Sequence, residues 1–491
     1  MKDTEEQKLA SKLAAEHHSV RVNAAAGAGK SYLLKRIAKS QHARFLYLTF
    51  SRQLAAEAKA SFPTNAECMT AHGFAFRRLD GQTKLVNKLN RKMTGELGAD
   101  LLGLEGGTNE KEQVIATLVA AIEKYAMSAD ERIQAHHLPE ADLTTPVIER
   151  YLGYARDLWA LMSSRTNSIP ITHDMYLKLF QLRQEDLHVQ YDCILADEGQ
   201  DFSPVMLEII KQSQCKRVIV GDRHQQIYAF RGSVNALDAF PDSADAVLSQ
   251  SFRYGEQVAE FANIVLGFKR NPPSFTIRGT PSRKSVAVVG NPLDLPFEEG
   301  QHALIARTNA ALFEAAMYIT ALMPDLKLSF ESGLERFLRP IEQCFHLWSE
   351  NVDAITDYPF VRYKSYETFS KSVGISHPEL AWLCRIFSEF GDDVWSMAKA
   401  VEANTVNDPR RAAVVFGTAH STKGRQFKKV VLLDDFRTPF ELESSRSEKI
   451  TAGEWTNTDE VAQAEEINML YVAGTRAQDL LVVPARIAED L

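Results

Sequence analysis

The sequence predicts an α/β fold in which parallel sheets are flanked by helices and carry two mostly helical insertions. Short apolar runs of strand length recur along the chain, and polar turns follow several of them, as after residues 191–196 and 216–220. Apolar residues recur at helical spacing in two long segments, residues 81–168 and 310–409. A length of 491 residues allows about three or four compact lobes.

Composition and charge limit the surface that this protein presents. The formal net charge of −8 argues against a surface that is basic throughout, so we expect any nucleic-acid site to be a local basic groove. The five cysteines lack metal-ligand spacing, which is typical of reduced intracellular thiols. The N-terminus is polar and no apolar run is long enough to cross a bilayer. We therefore expect no membrane partner and a cytoplasmic location, or a nuclear one in a eukaryote.

Residues 22–31 have the order of strand, small-residue loop and helix that forms a phosphate-binding P-loop. Glycine lets the loop direct its N–H groups inward, and the helix N-terminus adds positive potential. Lys30 is placed to reach the outer phosphates and Ser31 to hold Mg²⁺. The usual first glycine is Ala24 here, which breaks the strict pattern. The predicted cradle comprises Ala26, Gly27, Ala28, Gly29, Lys30 and Ser31.

Two acids end the apolar run at residues 191–198, and an amide-rich turn follows the next predicted strand. In a P-loop protein, Asp197 would hold Mg²⁺ through water and Glu198 would orient and deprotonate the attacking water. An acidic N-cap for the following helix is the alternative, and the two roles are compatible. Gln225 follows a strand at the sheet edge that binds ligands, where it can sense the γ-phosphate.

Aromatic and polar side chains elsewhere have both a functional and a structural interpretation. Residues 68–78 are predicted to open a helix whose aromatic rings pack a core or offer a stacking platform for bases. Phe230 and Arg231 follow the turn at Gln225 and can face a second ligand. Gln7, in a predicted helix before the P-loop, could read an adenine edge or be a solvated surface glutamine.

Two arginines in the second half of the chain are candidates for a phosphate site. Arg476, near the end of a predicted helix, suits an arginine finger aimed at the charge that develops on the transferred phosphoryl group. Arg253 could contact a phosphate between lobes, although a lone arginine is more often a surface residue. Residues 441–460 are predicted to form a polar loop.

Taken together, these segments resemble the UvrD/Rep family of superfamily 1 helicases, block by block and in the family's order. The matching blocks are the P-loop with alanine in its first position, Asp-Glu-Gly-Gln-Asp at 197–201, Gly-Asp-Arg-His-Gln-Gln-Ile-Tyr-Ala-Phe-Arg-Gly at 221–232, Thr-x-His-x-x-Lys-Gly at 418–424 and Tyr-Val-Ala-Gly-Thr-Arg-Ala at 471–477. The strings at 224–228, 250–253 and 419–424 are most similar to the F-box DNA helicases. We expect no F-box upstream of Gln7.

The resemblance implies two RecA-like P-loop lobes, each with a mostly helical inserted subdomain. Lobe 1 would comprise residues 1–80 and 169–245 with the insertion 81–168, and lobe 2 would comprise residues 246–309 and 410–491 with the short insertion 310–409. Implied cofactors are ATP and Mg²⁺, and implied partners are single-stranded DNA and forked duplex. The implied nucleotide and metal residues are Gln7, Lys30, Ser31, Asp197, Glu198, Gln225, Phe252, Arg253 and Arg476. The implied DNA track comprises Phe50, His72, Phe74, Phe230, Arg231, His420 and Lys423.

The sequence departs from the family pattern in three places. The arginine that often follows the P-loop Lys-Thr and stacks on adenine is replaced by Tyr32, which can stack but brings no charge. Gly-Leu-Glu-Phe after the later motif lysine is replaced by Gly-Arg-Gln-Phe at 424–427, so an amide stands where a carboxylate is expected near the ribose. The second insertion is short. We therefore expect looser base selectivity.

We expect an ATP-driven translocase on single-stranded DNA that acts as a 3′-to-5′ helicase in repair, recombination control or phage-related DNA metabolism. ATP would close the lobes, with Lys30 and Arg476 meeting across one crevice. One alternative is a remodeller that strips recombinase from DNA. Another is a nucleotide-sensing subunit that binds a partner nuclease in a defence complex. A P-loop kinase of small molecules would leave the later blocks unexplained.

Overall fold

A computed structural model describes residues 3–79, 82–89, 93–139, 144–164, 166–228, 234–292, 297 and 299–491. The chain folds into two compact units. The first unit comprises Met1–Ala25 and Gly29–Leu248, and the second comprises Ala26–Ala28 and Ser249–Leu491. Each unit contains one sheet of six parallel strands with helices around it, so the predicted α/β class with two RecA-like lobes is confirmed.

The sheet of the first unit has the strand order β3-β2-β4-β5-β1-β6. Its strands are β1 (Ser19–Ala24), β2 (Phe45–Thr49), β3 (Ala66–Thr70), β4 (Cys193–Asp197), β5 (Lys216–Gly221) and β6 (Ala244–Leu248). Every residue of β2 and β4 is buried, as expected for a parallel sheet covered by helices on both faces. The carboxyl ends of β1 and β4 thus bring the P-loop and the acidic pair to one edge of the sheet.

The helices of the first unit include an insertion with a core of its own. In chain order they are α1 (Glu5–Glu16), α2 (Lys30–Ser40), α3 (Arg52–Ser61), α4 (Ala71–Arg78), α5 (Gln82–Leu89), α6 (Gly95–Leu102), α7 (Thr108–Met127), α8 (Thr145–Ser163), α9 (His173–Gln181) and α10 (Pro204–Gln212). Helices α6 to α8 enclose an apolar cluster around Leu118, Ile122 and Leu158, as their helical spacing predicts.

The sheet of the second unit has the strand order β7-β12-β11-β8-β10-β9. Its strands are β7 (Val286–Val289), β8 (His302–Ala306), β9 (Leu328–Phe330), β10 (Val414–Thr418), β11 (Phe427–Leu432) and β12 (Ala477–Val483). Its helices are α11 (Glu256–Gly267), α12 (Asn309–Leu322), α13 (Glu335–Trp348), α14 (Tyr366–Ser376), α15 (Trp382–Phe390), α16 (Val394–Asn404), α17 (Pro439–Ala452), α18 (Asn457–Gly474) and α19 (Ala485–Glu489).

The second helical segment packs onto its own sheet. Residues from α13, α15 and α16 share one apolar cluster with Leu304 of β8 and Phe416 of β10. Strand β9 lies inside the range 310–409, predicted to be mostly helical, and it pairs in parallel with β10. A strand of three residues is too short to produce a recognisable alternation, so this strand was not predicted.

Two local predictions were wrong. Residues 66–70 form the strand β3 before the helix α4, although a helix was expected to begin at Cys68. Residues 441–460 were expected to form a polar loop, but α17 begins at Pro439 with a capping box between Thr438 and Glu441, and α18 begins at Asn457. Both helices start with strong capping signals, which override their polar composition. Within the described part of the chain, no helix combines the length and apolar character needed to cross a membrane.

Candidate nucleotide site and nucleic-acid interface

The P-loop runs from the end of β1 into α2, as the sequence predicts. Gly27 and Gly29 have φ angles of +76° and +82°, which favour glycine because other side chains strain in this region. At Gly27, a Cβ atom would also come within 2.6 Å of the Arg253 Cβ, so the loop has no room for a side chain there. Gly29 directly precedes Lys30, the first residue of α2. The turn therefore presents the N-terminus of α2, as anion binding requires.

Four predicted residues come together at the carboxyl edge of the first sheet. The Ser31 hydroxyl donates to the Asp197 carboxylate at 2.8 Å. Lys30 Nζ lies 3.3 Å from Glu198 Oε2, and Lys30 itself is buried. Glu198 has a positive φ of 56°, a conformation that is strained for a residue with a side chain. The backbone turn after β4 thus directs Glu198 toward Lys30 instead of along the strand.

The electrostatics of this cluster are dominated by burial and mutual charge. Burial alone would lower the pKa of Lys30, but the carboxylates of Glu198, Asp222 and Asp197 together raise it. Burial and the neighbouring Glu198 raise the pKa of Asp197, against the opposing effect of Lys30. The lysine is therefore held charged, while the two carboxylates repel each other in a poorly solvated site. A bound cation would relieve that repulsion.

Two residues that the sequence analysis did not single out, Tyr47 and Gln200, support the acidic pair. The Tyr47 hydroxyl donates to Asp197 at 2.7 Å, and burial followed by the charge of Asp197 raises the pKa of this tyrosine. Gln200 donates to Glu198 at 2.7 Å and accepts from the backbone N–H of Asp222 at 3.0 Å. The only sequence signal for Gln200 is its place in the Asp-Glu-Gly-Gln-Asp block. Tyr47 has none, because its role depends on the pairing of β2 with β4.

The donor set fits Mg²⁺. A hydroxyl oxygen of Ser31 and a carboxylate oxygen of Asp197 lie within hydrogen-bond distance of each other, with a second carboxylate, Glu198, next in sequence. All three offer oxygen, the ligand atom that a hard cation prefers. Hard oxygen ligands beside a phosphate-binding loop are the surroundings in which Mg²⁺ is held.

The remaining nucleotide candidates of the first unit lie on two elements. Gln225 is buried, and its side-chain amide donates to Asp222 at 2.7 Å. Gln7 is also buried, and its side-chain oxygen accepts from the backbone N–H of Thr4 in a capping box. This places Gln7 in the structure of α1 and argues against a solvated surface glutamine. Tyr32 keeps an exposed ring while its hydroxyl donates to Asp3 at 2.9 Å.

The candidates in the second unit gather around Thr475. Arg476 is fully buried, and its Nε donates to the Val472 carbonyl at 2.8 Å. Arg253 donates to the Thr475 carbonyl at 2.9 Å, so the two predicted arginines are neighbours. The backbone N–H of Phe252 donates to the Gly27 carbonyl at 2.9 Å, and both residues belong to this unit. The meeting of Lys30 with Arg476 across one crevice stays a prediction.

The predicted DNA residues have different surroundings. Phe50 is 39% exposed, and its ring lies 6.4 Å from that of His72 in an edge arrangement. Phe74 is 1% exposed and packs edge-on against Phe180 and Tyr191 in the core of the first unit. This placement contradicts the expectation that Phe74 lines a DNA track, because no base can reach its ring. The face of α4 that turns inward was not evident from eight residues.

The other DNA candidates belong to the second half of the motif set. Phe230 and Arg231 lie outside the described residues. His420 and Lys423 are half-buried in the turn after β10, which is held by hydrogen bonds between Thr418 and Ser421. Thr422 also donates to the Thr418 carbonyl at 3.0 Å. The turn thus presents both basic side chains from a fixed backbone.

One further cluster in the described residues, Asp130, His136 and His137, has the composition of a metal site. The backbone N–H of Gln134 donates to His137 Nδ1 at 2.9 Å. Neutral His137 therefore carries its proton on Nε2, which lies 3.0 Å from Asp130 and cannot offer a lone pair to a metal. Burial and the neighbouring His136 lower the pKa of His137, which favours this neutral form. The cluster is a hydrogen-bonded loop.

Comparison with known proteins agrees with this geometry. The profile of the UvrD/REP helicase N-terminal domain matches residues 3–240. The chain is 29% identical to F-box DNA helicase 1 of Gallus gallus over 496 aligned residues, which cover 94% of this chain and 47% of the relative. It is 28% identical to F-box DNA helicase protein 1 of Schizosaccharomyces pombe over 495 residues, 94% of this chain and 55% of the relative. The chain thus spans about half the length of these curated relatives. Residues 3–240 are thus similar to the UvrD/Rep helicases, and most of the chain is similar to F-box DNA helicases.

Proposed function

We propose that this chain is a DNA-stimulated ATPase that translocates on single-stranded DNA and unwinds duplex DNA with 3′-to-5′ polarity. The observation that carries the proposal is the cluster of Lys30, Ser31, Asp197 and Glu198 at the end of a P-loop strand. A purely structural site would have no use for a strained, half-buried glutamate beside a buried lysine. Repair, recombination control and phage-related DNA metabolism are the processes that such an activity would serve.

The residues of the first unit divide the chemical work. Lys30 binds the outer phosphates of ATP, and Ser31 and Asp197 would hold Mg²⁺, which neutralises charge on the phosphates when it is bound. Glu198 orients the attacking water and accepts its proton, and Gln200 fixes the carboxylate for this purpose. Gln225 lies in the turn that follows β5, where its amide donates to Asp222, and it senses whether the γ-phosphate is present.

The second unit contributes positive charge. Arg476 and Arg253 would stabilise the charge that develops on the γ-phosphoryl group. Both arginines donate to Thr475, which holds them next to each other. DNA would lie on Phe50 and His72 in the first unit and on His420 and Lys423 in the second. Stacking contributes about 1–3 kcal/mol per base and tolerates any sequence, which suits a motor.

The test is the rate of ATP hydrolysis with and without single-stranded DNA, for the wild type and for Glu198→Gln. We expect strong stimulation of the wild type by DNA. The variant should bind ATP but hydrolyse it at least about 100-fold more slowly, because it lacks the general base. A wild-type rate of ATP hydrolysis that does not change with DNA would contradict the proposed translocase and favour a nucleotide-sensing subunit of a defence complex.

A remodeller that strips recombinase from DNA would use the same motor parts. Displacement of recombinase from single-stranded DNA, measured beside unwinding of a forked duplex, separates the two activities. Efficient displacement with little unwinding would assign the chain to remodelling.

A further inference from the structure

A polar surface surrounds Phe50 in the first unit, and its members come from three elements. They are Phe50 and Arg52 after β2, His72 in the first turn of α4, and His173 and Asp174 at the start of α9. Strands β2 and β3 are parallel neighbours, so the segments that follow them leave the same edge of the sheet. Ligands bind at this edge in open α/β sheets.

Contacts among these side chains fix the surface. His72 Nε2 lies 2.9 Å from Asp174 Oδ1, and the rings of His72 and Phe50 lie 6.4 Å apart. His173 Nδ1 lies 3.0 Å from the hydroxyl of Tyr176, one turn further along α9. Burial raises the pKa of Tyr176 to about 12, so its hydroxyl keeps its proton and can donate to His173. Neutral His173 then carries its own proton on Nε2.

The surface collects positive charge and leaves it exposed. Arg52 and His173 are both exposed, whereas Tyr176 beneath them is buried. Burial, followed by the charges of His72 and Arg52, lowers the pKa of His173, against the opposing effect of Asp174. These basic groups are thus close enough to repel one another. A bound anion would relieve the repulsion. The N-terminus of α9 also favours negative charge.

We propose that Arg52 and His173 bind a backbone phosphate of single-stranded DNA beside the base that stacks on Phe50. The inference rests on the proposed function and adds two contact residues to it. Arg52 supplies a charged fork that matches a phosphate, and His173 supplies an N–H donor from Nε2. Asp174 is a positioning residue, because its carboxylate holds His72 against Phe50.

The test measures binding of a fluorescein-labelled oligothymidylate to the full chain over a range of NaCl concentrations. Removing one charged contact from single-stranded DNA lowers the slope of log K against log salt by about 0.7. We expect Arg52→Ala to weaken binding about tenfold and to reduce the slope by that amount, since a charge-assisted hydrogen bond is lost. Arg52→Lys should keep the slope.

His173→Ala should weaken binding about threefold with little change of slope, because a neutral donor releases no counterion. Phe50→Ala should weaken binding at every salt concentration without changing the slope. Lys59→Ala, a cation removed from the far end of α3, should change neither quantity.

The outcomes separate the inference from the function on which it rests. If the wild type binds DNA and shows stimulated hydrolysis while Arg52→Ala and His173→Ala both bind like the wild type, this phosphate site is wrong and the motor stands. A wild type that fails to bind oligothymidylate overturns both.

Discussion

The carboxyl edges of the two sheets hold carboxylates in contrasting surroundings. Asp197 is the last residue of β4 and lies among other charged groups, Glu198 and Lys30. Asp435 follows β11 and accepts hydrogen bonds from the backbone N–H groups of Arg307 and Thr308 and from the Thr308 hydroxyl. Burial raises the pKa of both carboxyls. For Asp197, the next largest effect is the charge of Glu198, which raises the pKa further. For Asp435, the next largest effects are hydrogen bonds, which lower the pKa.

Under the proposed function, the first edge is the reactive one and the second is structural. At the first edge, two neighbouring carboxylates face one lysine. A bound cation would reduce the repulsion between the carboxylates, and a phosphate would pair with the lysine. At the second edge, the Asp435 carboxylate is held by the backbone N–H groups of Arg307 and Thr308, the two residues that precede α12. Two sheets of one class therefore differ in charge and hydrogen bonding at their carboxyl edges because of a few residues at the strand ends.

Removing the lysine from the reactive edge should have the largest effect. Lys30→Ala should reduce DNA-stimulated ATP hydrolysis at least about 100-fold, because the variant loses the preorganised positive charge that stabilises the transferred phosphoryl group. Steady-state hydrolysis at saturating ATP and DNA measures the change. Lys35→Ala, on the same helix, is the control and should keep the wild-type rate. A Lys30→Ala variant with more than a tenth of the wild-type rate would contradict the assignment.

Removing the Tyr47 hydroxyl should have a smaller effect on the same edge. Tyr47→Phe withdraws a donor from Asp197, so the pKa of Asp197 should rise further and the acidic limb of the pH–rate profile should move to higher pH. We expect a lower rate on the acidic limb and a stability loss of about 1–2 kcal/mol. Tyr125→Phe, which removes a buried hydroxyl bonded to the Glu131 carbonyl, should cost similar stability and leave the profile unmoved. Matching profiles for the two variants would refute the role of Tyr47.

At the structural edge, stability should change and chemistry should not. In Asp435→Asn, the amide N–H₂ would face a backbone N–H, and we expect a loss of about 1–3 kcal/mol with hydrolysis within about threefold of wild type. Urea unfolding followed by tryptophan fluorescence reports mainly this unit, which holds Trp348, Trp382, Trp395 and Trp455. Asp434→Asn, an exposed partner of Arg486, should cost less than about 1 kcal/mol. If Asp435→Asn lost hydrolysis while its free energy of unfolding stayed that of the wild type, the structural role of Asp435 would be contradicted.

The last prediction concerns the pH dependence of stability at a second buried lysine. Lys178 donates to the backbone carbonyls of Ser128 and Asp130, and burial lowers its pKa from 10.5 to about 8. Between these values the unfolded chain binds more protons, so stability should rise with pH from about 8 to 10.5 and then level off.

The Lys178→Met variant tests this sign. Its stability should rise less with pH than that of the wild type, by up to about 1.4 kcal/mol per pH unit within that window. Urea midpoints at several pH values measure the difference. Parallel curves for the two proteins would show that Lys178 titrates normally.

How far the sequence leads depends on the range of each interaction. The P-loop and the acidic pair were predictable because each is a contiguous block whose chemistry depends on local spacing. Tyr47 was not, because it reaches Asp197 only through the pairing of β2 with β4. The residues around Phe74 left a core ring and a stacking platform both open, because a short helix carries no reliable pattern, and only the family resemblance placed Phe74 in the DNA track. Arg52 and His173 are far apart in sequence, so their proximity depends on the fold.

Unwinding of a tailed duplex tests the central claim most directly. With ATP and Mg²⁺, the wild type should separate a duplex that carries a 3′ single-stranded tail and leave a 5′-tailed duplex intact, and Glu198→Gln should separate neither. A wild type that separates neither substrate, with hydrolysis unaffected by DNA, would contradict the account.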